Sequence, residues 1–184
     1  MSFQKYMHSS FFHVFDRLYD IPIPWLLKQG IKGVVLDCDG VMTSIDSIEI
    51  PKQTLEWMIS IQAAGILLGI YSNQSQRLFE KRQVWLQDRM PNVIWVPPGC
   101  KKPNIKGVEI LQKIWGCEFF ELLMVDDRFA TGGVMAYKAG MHFAYCSNPI
   151  QNFHHAVMKE YFFVMIRYIE RLFYGWCARE ESNL

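Results

Sequence analysis

Five short apolar runs, each closed by a polar residue or a proline and separated by amphipathic stretches, constrain this chain more than any other feature. Gly33–Leu36 (GVVL) ends at Asp37, and residues 66–71 (ILLGIY) end at Ser72. Residues 93–96 (VIWV) lead into Pro97, residues 122–125 (LLMV) into Asp126, and His142–Cys146 into Ser147. Between them, residues 52–64, 75–89, 104–115 and 131–139 space their apolar side chains as helices do, with Asn104 as a cap and Gly65 and Gly140 as terminators. Strands this continuously apolar are buried on both faces. The alternation therefore predicts an α/β, three-layer Rossmann-like fold, with a parallel five-stranded sheet and helices on both sides.

Such sheets bind ligands at the carboxyl ends of their strands. The loops there carry Asp37 and Asp39, then Ser72 and Asn73, then Lys101 and Lys102, then Asp126 and Asp127. Side chains alternate along a strand, so Asp37 and Asp39 share one side while Cys38 points into the core. Two carboxylates this close repel unless a cation or a shared proton separates them, and a hard divalent ion such as Mg²⁺ suits oxygen ligands. Each group taken alone has a plainer explanation: an Asp turn, a Ser helix cap, a solvated basic pair. Two acidic pairs, a hydroxyl and a lysine on one sheet edge point instead to phosphate chemistry.

The motifs DCDGVMT (37–43), YSN (71–73), KKP (101–103) and VDD (125–127) resemble, in order and spacing, the four motifs of the haloacid dehalogenase superfamily of phosphohydrolases. The resemblance spans residues 30–150. Flanking stretches, IPIPWLLKQGIKGVVLD and DDRFATGGVMAYKAGM with a following NP, are similar to bacterial phosphatidylglycerophosphatases of subclass IIIA. The resemblance implies Asp37 as the nucleophile that forms an aspartyl-phosphate, and Asp39 as general acid and then base. Ser72, with Asn73 beside it, would bind the phosphoryl oxygens. Lys102, with Lys101 as the lesser candidate, would neutralise charge. Mg²⁺ would be held by the Asp37 carboxylate, the Asp39 carbonyl and Asp127, with Asp126 reaching it directly or through water. The superfamily's fourth motif usually reads GD with a later acid; here Asp126 takes the glycine position and Gly132 the place of the acid. Compensation by Asp126, weakened metal binding, and a degenerate domain that binds phosphorylated partners without turnover all stay open.

Residues 44–71 and 74–100 are each filled by one helix and one strand, which leaves no room for a cap domain. An uncapped site suits a phosphate presented on something large, phosphatidylglycerophosphate first, with a soluble phosphomonoester or phosphoprotein as the alternative. The formal charge is +1, without the basic excess that binding nucleic acid needs, so no nucleic-acid partner is expected. Five widely spaced cysteines fit reduced thiols. His13, Asp16, Arg17 and Asp20 interrupt the early apolar stretches, so no secretory signal is expected. A cytoplasmic protein, peripheral at most on the inner membrane face, follows.

Aromatic residues make up 15% of the chain, and many fall outside the motifs. Residues 1–29, with Phe11, Phe12, Phe15, Leu18, Tyr19, Trp25 and Leu26, read as an aromatic helical lead-in. Residues 30–150 form the catalytic domain, and 151–184 an amphipathic aromatic helix and tail. In 151–176, Tyr161, Phe162, Met165, Tyr168, Ile169, Phe173 and Trp176 form a wide apolar face interrupted by Lys159, Arg167 and Arg171. Packing on the domain, a homodimer through both termini, and peripheral membrane contact are the three uses of such segments. His13, His154 and His155 read as surface histidines.

Overall fold

The computed structural model describes residues 1–154 and 156–180; His155, the side chains of residues 174–180 (Trp176 and Cys177 among them) and the tail 181–184 lie outside the described residues. The predicted apolar runs become strands β2 (Gly33–Leu36), β3 (Leu67–Ile70), β4 (Ile94–Trp95), β5 (Leu122–Asp126) and β6 (His142–Cys146). A sixth strand, β1 (Phe12–Phe15), precedes them, so the sheet has six strands rather than five. Its order is β1-β6-β5-β2-β3-β4, all neighbours parallel. β1 is an edge strand that is only half-buried, in register with β6 from Phe12↔Phe143 to Phe15↔Cys146. Its aromatics recur at spacings that also fit a helix, which is why periodicity alone reads the segment as helical.

Helices α1 (Phe3–Met7), α2 (Ile23–Lys28), α3 (Lys52–Ala63), α4 (Gln76–Gln87), α5 (Lys106–Trp115) and α6 (Val134–Ala139) cover the sheet, and α7 (Val157–Glu180) follows it. Strand alternation divides the core into two layers. Val34, Leu36, Leu123 and Val125 pack with Leu26 of α2, Met58 and Ile61 of α3 and Leu86 of α4. Val35, Leu122 and Met124 face the other way, onto Tyr6 of α1, Val108 and Leu111 of α5 and Met135 of α6. The N-terminal aromatics mostly serve these layers: Tyr6 donates its hydroxyl to the Met141 carbonyl at 2.7 Å. Trp57 donates to the Ile21 carbonyl at 2.8 Å. Asn104 accepts at 2.9 Å from the amide of Lys106, the first residue of α5, but the cap position itself falls to Ile105, one residue later than expected.

The chain builds β2, β3 and β4 outward in one direction, then returns to build β5 and β6 on the other side. The strand order therefore reverses between β2 and β5, and a crevice opens at their carboxyl ends. Asp37 and the Asp126–Asp127 pair lie there.

Helix α7 crosses that edge with its sides reversed. Glu160, Arg167 and Glu170 are buried, while Met158, Tyr161, Phe162, Met165, Tyr168, Ile169 and Leu172 are each more than half exposed. Polar bonds, not apolar packing, seat it. Both Arg128 Nε (2.8 Å) and Nη2 (2.6 Å) donate to Glu170 Oε1, and the Phe129 amide donates to Glu170 Oε2 at 2.9 Å. Arg171 donates to the Tyr145 hydroxyl at 2.7 Å, and Lys159 pairs with Asp46. Among the described residues no helix is long and apolar enough to cross a membrane.

Candidate active site

One crevice at the sheet edge is lined by Asp37, Asp39, Ser72, Asn73, Lys102 and Asp127, with Phe163 and Arg167 of α7 closing one side. Each strand delivers its group where its ladder ends. Asp37 takes the last step of β2, its amide bonded to the Val125 carbonyl at 3.0 Å. Lys102 arrives from the loop after β4 because Asn73 clamps that loop. The Asn73 carbonyl oxygen accepts from the Lys102 amide at 2.7 Å, and its amide donates to the Lys102 carbonyl at 2.9 Å. Asn73 thus has both ends of its side chain engaged in placing Lys102. Lys101 is exposed and does not line the crevice.

Lys102 is buried with its ammonium 2.5 Å from Asp126 Oδ2 and 2.9 Å from Asp37 Oδ1. Burial alone would lower its pKa, but Asp126 and Asp37 together outweigh burial and raise it. Asp126 is fully enclosed: its second oxygen accepts from the Arg128 amide at 2.9 Å. Burial raises the pKa values of Asp126 and Asp127, and the neighbouring carboxylates push the same way. One carboxylate oxygen from each of Asp37, Asp126 and Asp127 lies within 4.8 Å of the others. Of these, Asp127 Oδ1 is buried without any hydrogen-bond donor, and Asp37 Oδ1 has only the Lys102 ammonium beside it, at 2.9 Å. Crowded carboxylate oxygens, one of them without a donor, suit a hard divalent cation, so the residues fit one.

Two arginines complete the electrostatics, and neither stands out in the sequence. Arg82, buried on α4, donates to Asp39 Oδ1 at 2.6 Å, to Gln74 Oε1 at 2.8 Å and to the Ser47 carbonyl at 2.7 Å. It ties the Asp39 carboxylate to both flanking loops. Burial pushes the Asp39 carboxyl up, and Arg82 opposes that rise. Arg167 of α7 donates from Nε to Asp127 Oδ2 at 2.5 Å. Both arginines come from helix positions more than forty or exactly forty residues from their partners in sequence.

Gly132 belongs to a five-residue π turn, Phe129–Gly133, that follows β5. A Cβ added there would lie 2.3 Å from Asp126 Oδ2, a distance that heavy atoms do not tolerate. Asp126 therefore excludes any side chain at 132, and the two departures in the fourth motif are a single steric arrangement. Substituting Gly132→Ala should cost about 1–3 kcal/mol of stability by overpacking. Urea unfolding should show a smaller cost in an Asp126→Gly background; equal costs in both backgrounds would refute the steric coupling.

A parallel sheet with its switch point between β2 and β5, and the four motifs gathered there, define a phosphatase of the haloacid dehalogenase superfamily. A family model described as "Mitochondrial PGP phosphatase" matches residues 12–151, and the chain belongs to that family. A search of curated proteins finds no match. Among solved structures, an uncharacterized protein from Listeria monocytogenes serotype 4b is similar in fold at 15% identity and a TM-score of 0.52, covering 62% of this chain and 78% of that one. A haloacid dehalogenase-superfamily hydrolase of subfamily IA from Geobacter sulfurreducens has 17% identity and a TM-score of 0.44, covering 63% and 87%. A 3-deoxy-D-manno-octulosonate 8-phosphate phosphatase from Moraxella catarrhalis, in complex with magnesium and phosphate ions, has 14% identity and a TM-score of 0.45, covering 82% and 91%.

Proposed function

We propose that this phosphatase is Mg²⁺-dependent, works through an aspartyl-phosphate on Asp37, and hydrolyses phosphatidylglycerophosphate presented at a membrane surface. The observation that carries the mechanism is the cluster of carboxylate oxygens from Asp37, Asp126 and Asp127, with Asp127 Oδ1 free of any donor and Asp37 Oδ1 held by the buried Lys102 ammonium. Asp37, Asp127 and the Asp39 carbonyl would hold the metal, which when bound supplies positive charge to the phosphoryl oxygens. Asp126, with both oxygens already engaged by Lys102 and the Arg128 amide, serves as the anchor of Lys102.

The chain's own groups divide the remaining work. Asp37 attacks phosphorus while Lys102 holds its carboxylate and the incoming charge in place. Asp39, raised by burial and steadied by Arg82, gives a proton to the leaving oxygen and then takes one from the hydrolytic water. Ser72 donates its hydroxyl to a phosphoryl oxygen. The exposed apolar side of α7 supports a lipid substrate, because that side sits on the helix that lines the crevice, and the uncapped site inferred from segment lengths agrees with it. Aromatic and aliphatic side chains at a bilayer boundary bring the crevice to the headgroups without spanning the membrane.

The test compares phosphate release from vesicles containing phosphatidylglycerophosphate with release from soluble phosphomonoesters, with Mg²⁺ and after chelation. Release should be faster from vesicles and should stop on chelation. Equal or faster release from soluble esters would reject the lipid substrate. Turnover that survives exhaustive chelation would reject the metal dependence.

A further inference from the structure

We propose that Arg167 is a phosphate-binding residue of the catalytic crevice, so that α7 is a working wall of the active site and not only an attachment. This deepens the phosphatase reading given above and rests on it. Arg167 is buried, with only 4% of its surface exposed, and it lines the same crevice as Asp37, Ser72 and Lys102. Its Nε holds Asp127 Oδ2, while its Nη1 is buried without any hydrogen-bond partner. A guanidinium nitrogen left so deep and unpaired costs stability unless something arrives to accept from it.

The other cations of the crevice are already committed. Lys102 lies between Asp37 and Asp126. Arg82 is engaged by Asp39, Gln74 and Ser47. Arg128 is engaged by Glu170. Among the described cations lining the crevice, Arg167 combines a pairing that fixes its plane with a buried nitrogen that has no partner. The acceptor must be anionic and rich in oxygen, and it must lie within reach of Asp127 and Asp37. The non-bridging oxygens of the phosphoryl group meet all three conditions, and a planar guanidinium suits them. The approach is also sterically prepared: a Cβ on Gly40 would lie 2.9 Å from Arg167 Nη2, so the glycine leaves the guanidinium its place beside the nucleophile loop. Phe163, one turn earlier, stacks under both Arg128 and Arg167 at 5.6 and 5.8 Å and limits their swing.

The experiment measures binding of inorganic phosphate to the full chain with Mg²⁺ by calorimetry, alongside kcat and KM for phosphate release, in wild type, Arg167→Gln and Arg167→Lys. Hydrogen exchange across α7 is followed in the same samples. Arg167→Gln should weaken phosphate affinity about tenfold or more, the effect of one lost charged donor. Arg167→Lys should recover part of that affinity, and exchange over α7 should stay slow in the lysine variant. Unchanged phosphate affinity in Arg167→Gln, whether or not α7 exchanges faster, would overturn the proposal and leave Arg167 as a structural peg. Tighter Mg²⁺ binding with unchanged phosphate affinity would overturn it as well, making Arg167 a stand-in for the metal. Because phosphate affinity is read apart from turnover, a wild-type chain that binds phosphate yet hydrolyses no ester removes the enzymatic reading and leaves the Arg167 result standing. A wild-type chain that binds no phosphate overturns the proposal directly.

Discussion

Asp37→Asn should abolish phosphate release, by about three to four orders of magnitude, while leaving the fold intact. An amide is nearly isosteric with the carboxylate but cannot attack phosphorus. The same substitution should leave the metal-free protein as stable as wild type or more so. Asp37 adds to the repulsion that raises the pKa values of Asp126, Asp127 and Asp39. Removing one charge from that cluster relieves stored strain, the usual exchange between function and stability. Thermal unfolding without divalent cation, together with a phosphate-release assay with Mg²⁺, checks both halves. Activity within tenfold of wild type would remove Asp37 from the nucleophile role, and a collapse of stability would mean that its charge holds the fold.

Lys102→Met should instead damage stability as much as turnover. The methionine fills most of the volume but leaves Asp37 and Asp126 without their shared cation in a largely buried place. Breaking a buried ion pair from one side costs about 3–5 kcal/mol. The cost should depend on pH in a definite direction. Carboxylates whose folded pKa is raised hold protons that the unfolded chain has released. The folded state therefore loses stability as pH climbs above the ordinary carboxylate value of 3.8, through the range where Asp127 and then Asp126 ionise. Denaturant unfolding should show a smaller deficit at about pH 5 than at about pH 8. Mg²⁺ should restore part of the loss at the higher pH, since it brings positive charge to the same oxygens. A deficit independent of pH would mean that the lysine acts through packing alone.

The parts of this molecule that were legible from residues are those where one physical requirement acts alone. β2 and β5 are buried on both faces, so their sequences had to be continuously apolar, and the polar residue ending each run marked the crevice. β1 escaped notice because an edge strand buries only part of its surface, and FHVF satisfies helical spacing equally well. Lys102 could be preferred to Lys101 only through resemblance; the structure gives the physical reason, the Asn73 clamp that turns one lysine inward and leaves its neighbour outside. Arg82 and Arg167 were hidden for a different reason. An arginine on an amphipathic helix is ordinarily solvated, and nothing local says that its partner is an aspartate forty residues away. One signal existed for Arg167. Glu160, Arg167 and Glu170 fall seven and then three positions apart on a helix otherwise rich in aromatics, so that they share one side of it.

The reversal of α7 has an evolutionary consequence. Around Arg167 and Glu170, positions that meet the outside lie one or two residues from positions that meet a carboxylate of the crevice or its scaffold. On the membrane-facing role proposed for the outward side, selection on where the protein resides and selection on what it hydrolyses act on the same few turns of helix. A lineage that changed its surroundings would have to rewrite the outward positions, Met165, Tyr168 and Ile169 among them, without turning Arg167 or Glu170 from their partners. On that proposal, address and chemistry in this protein are inherited together.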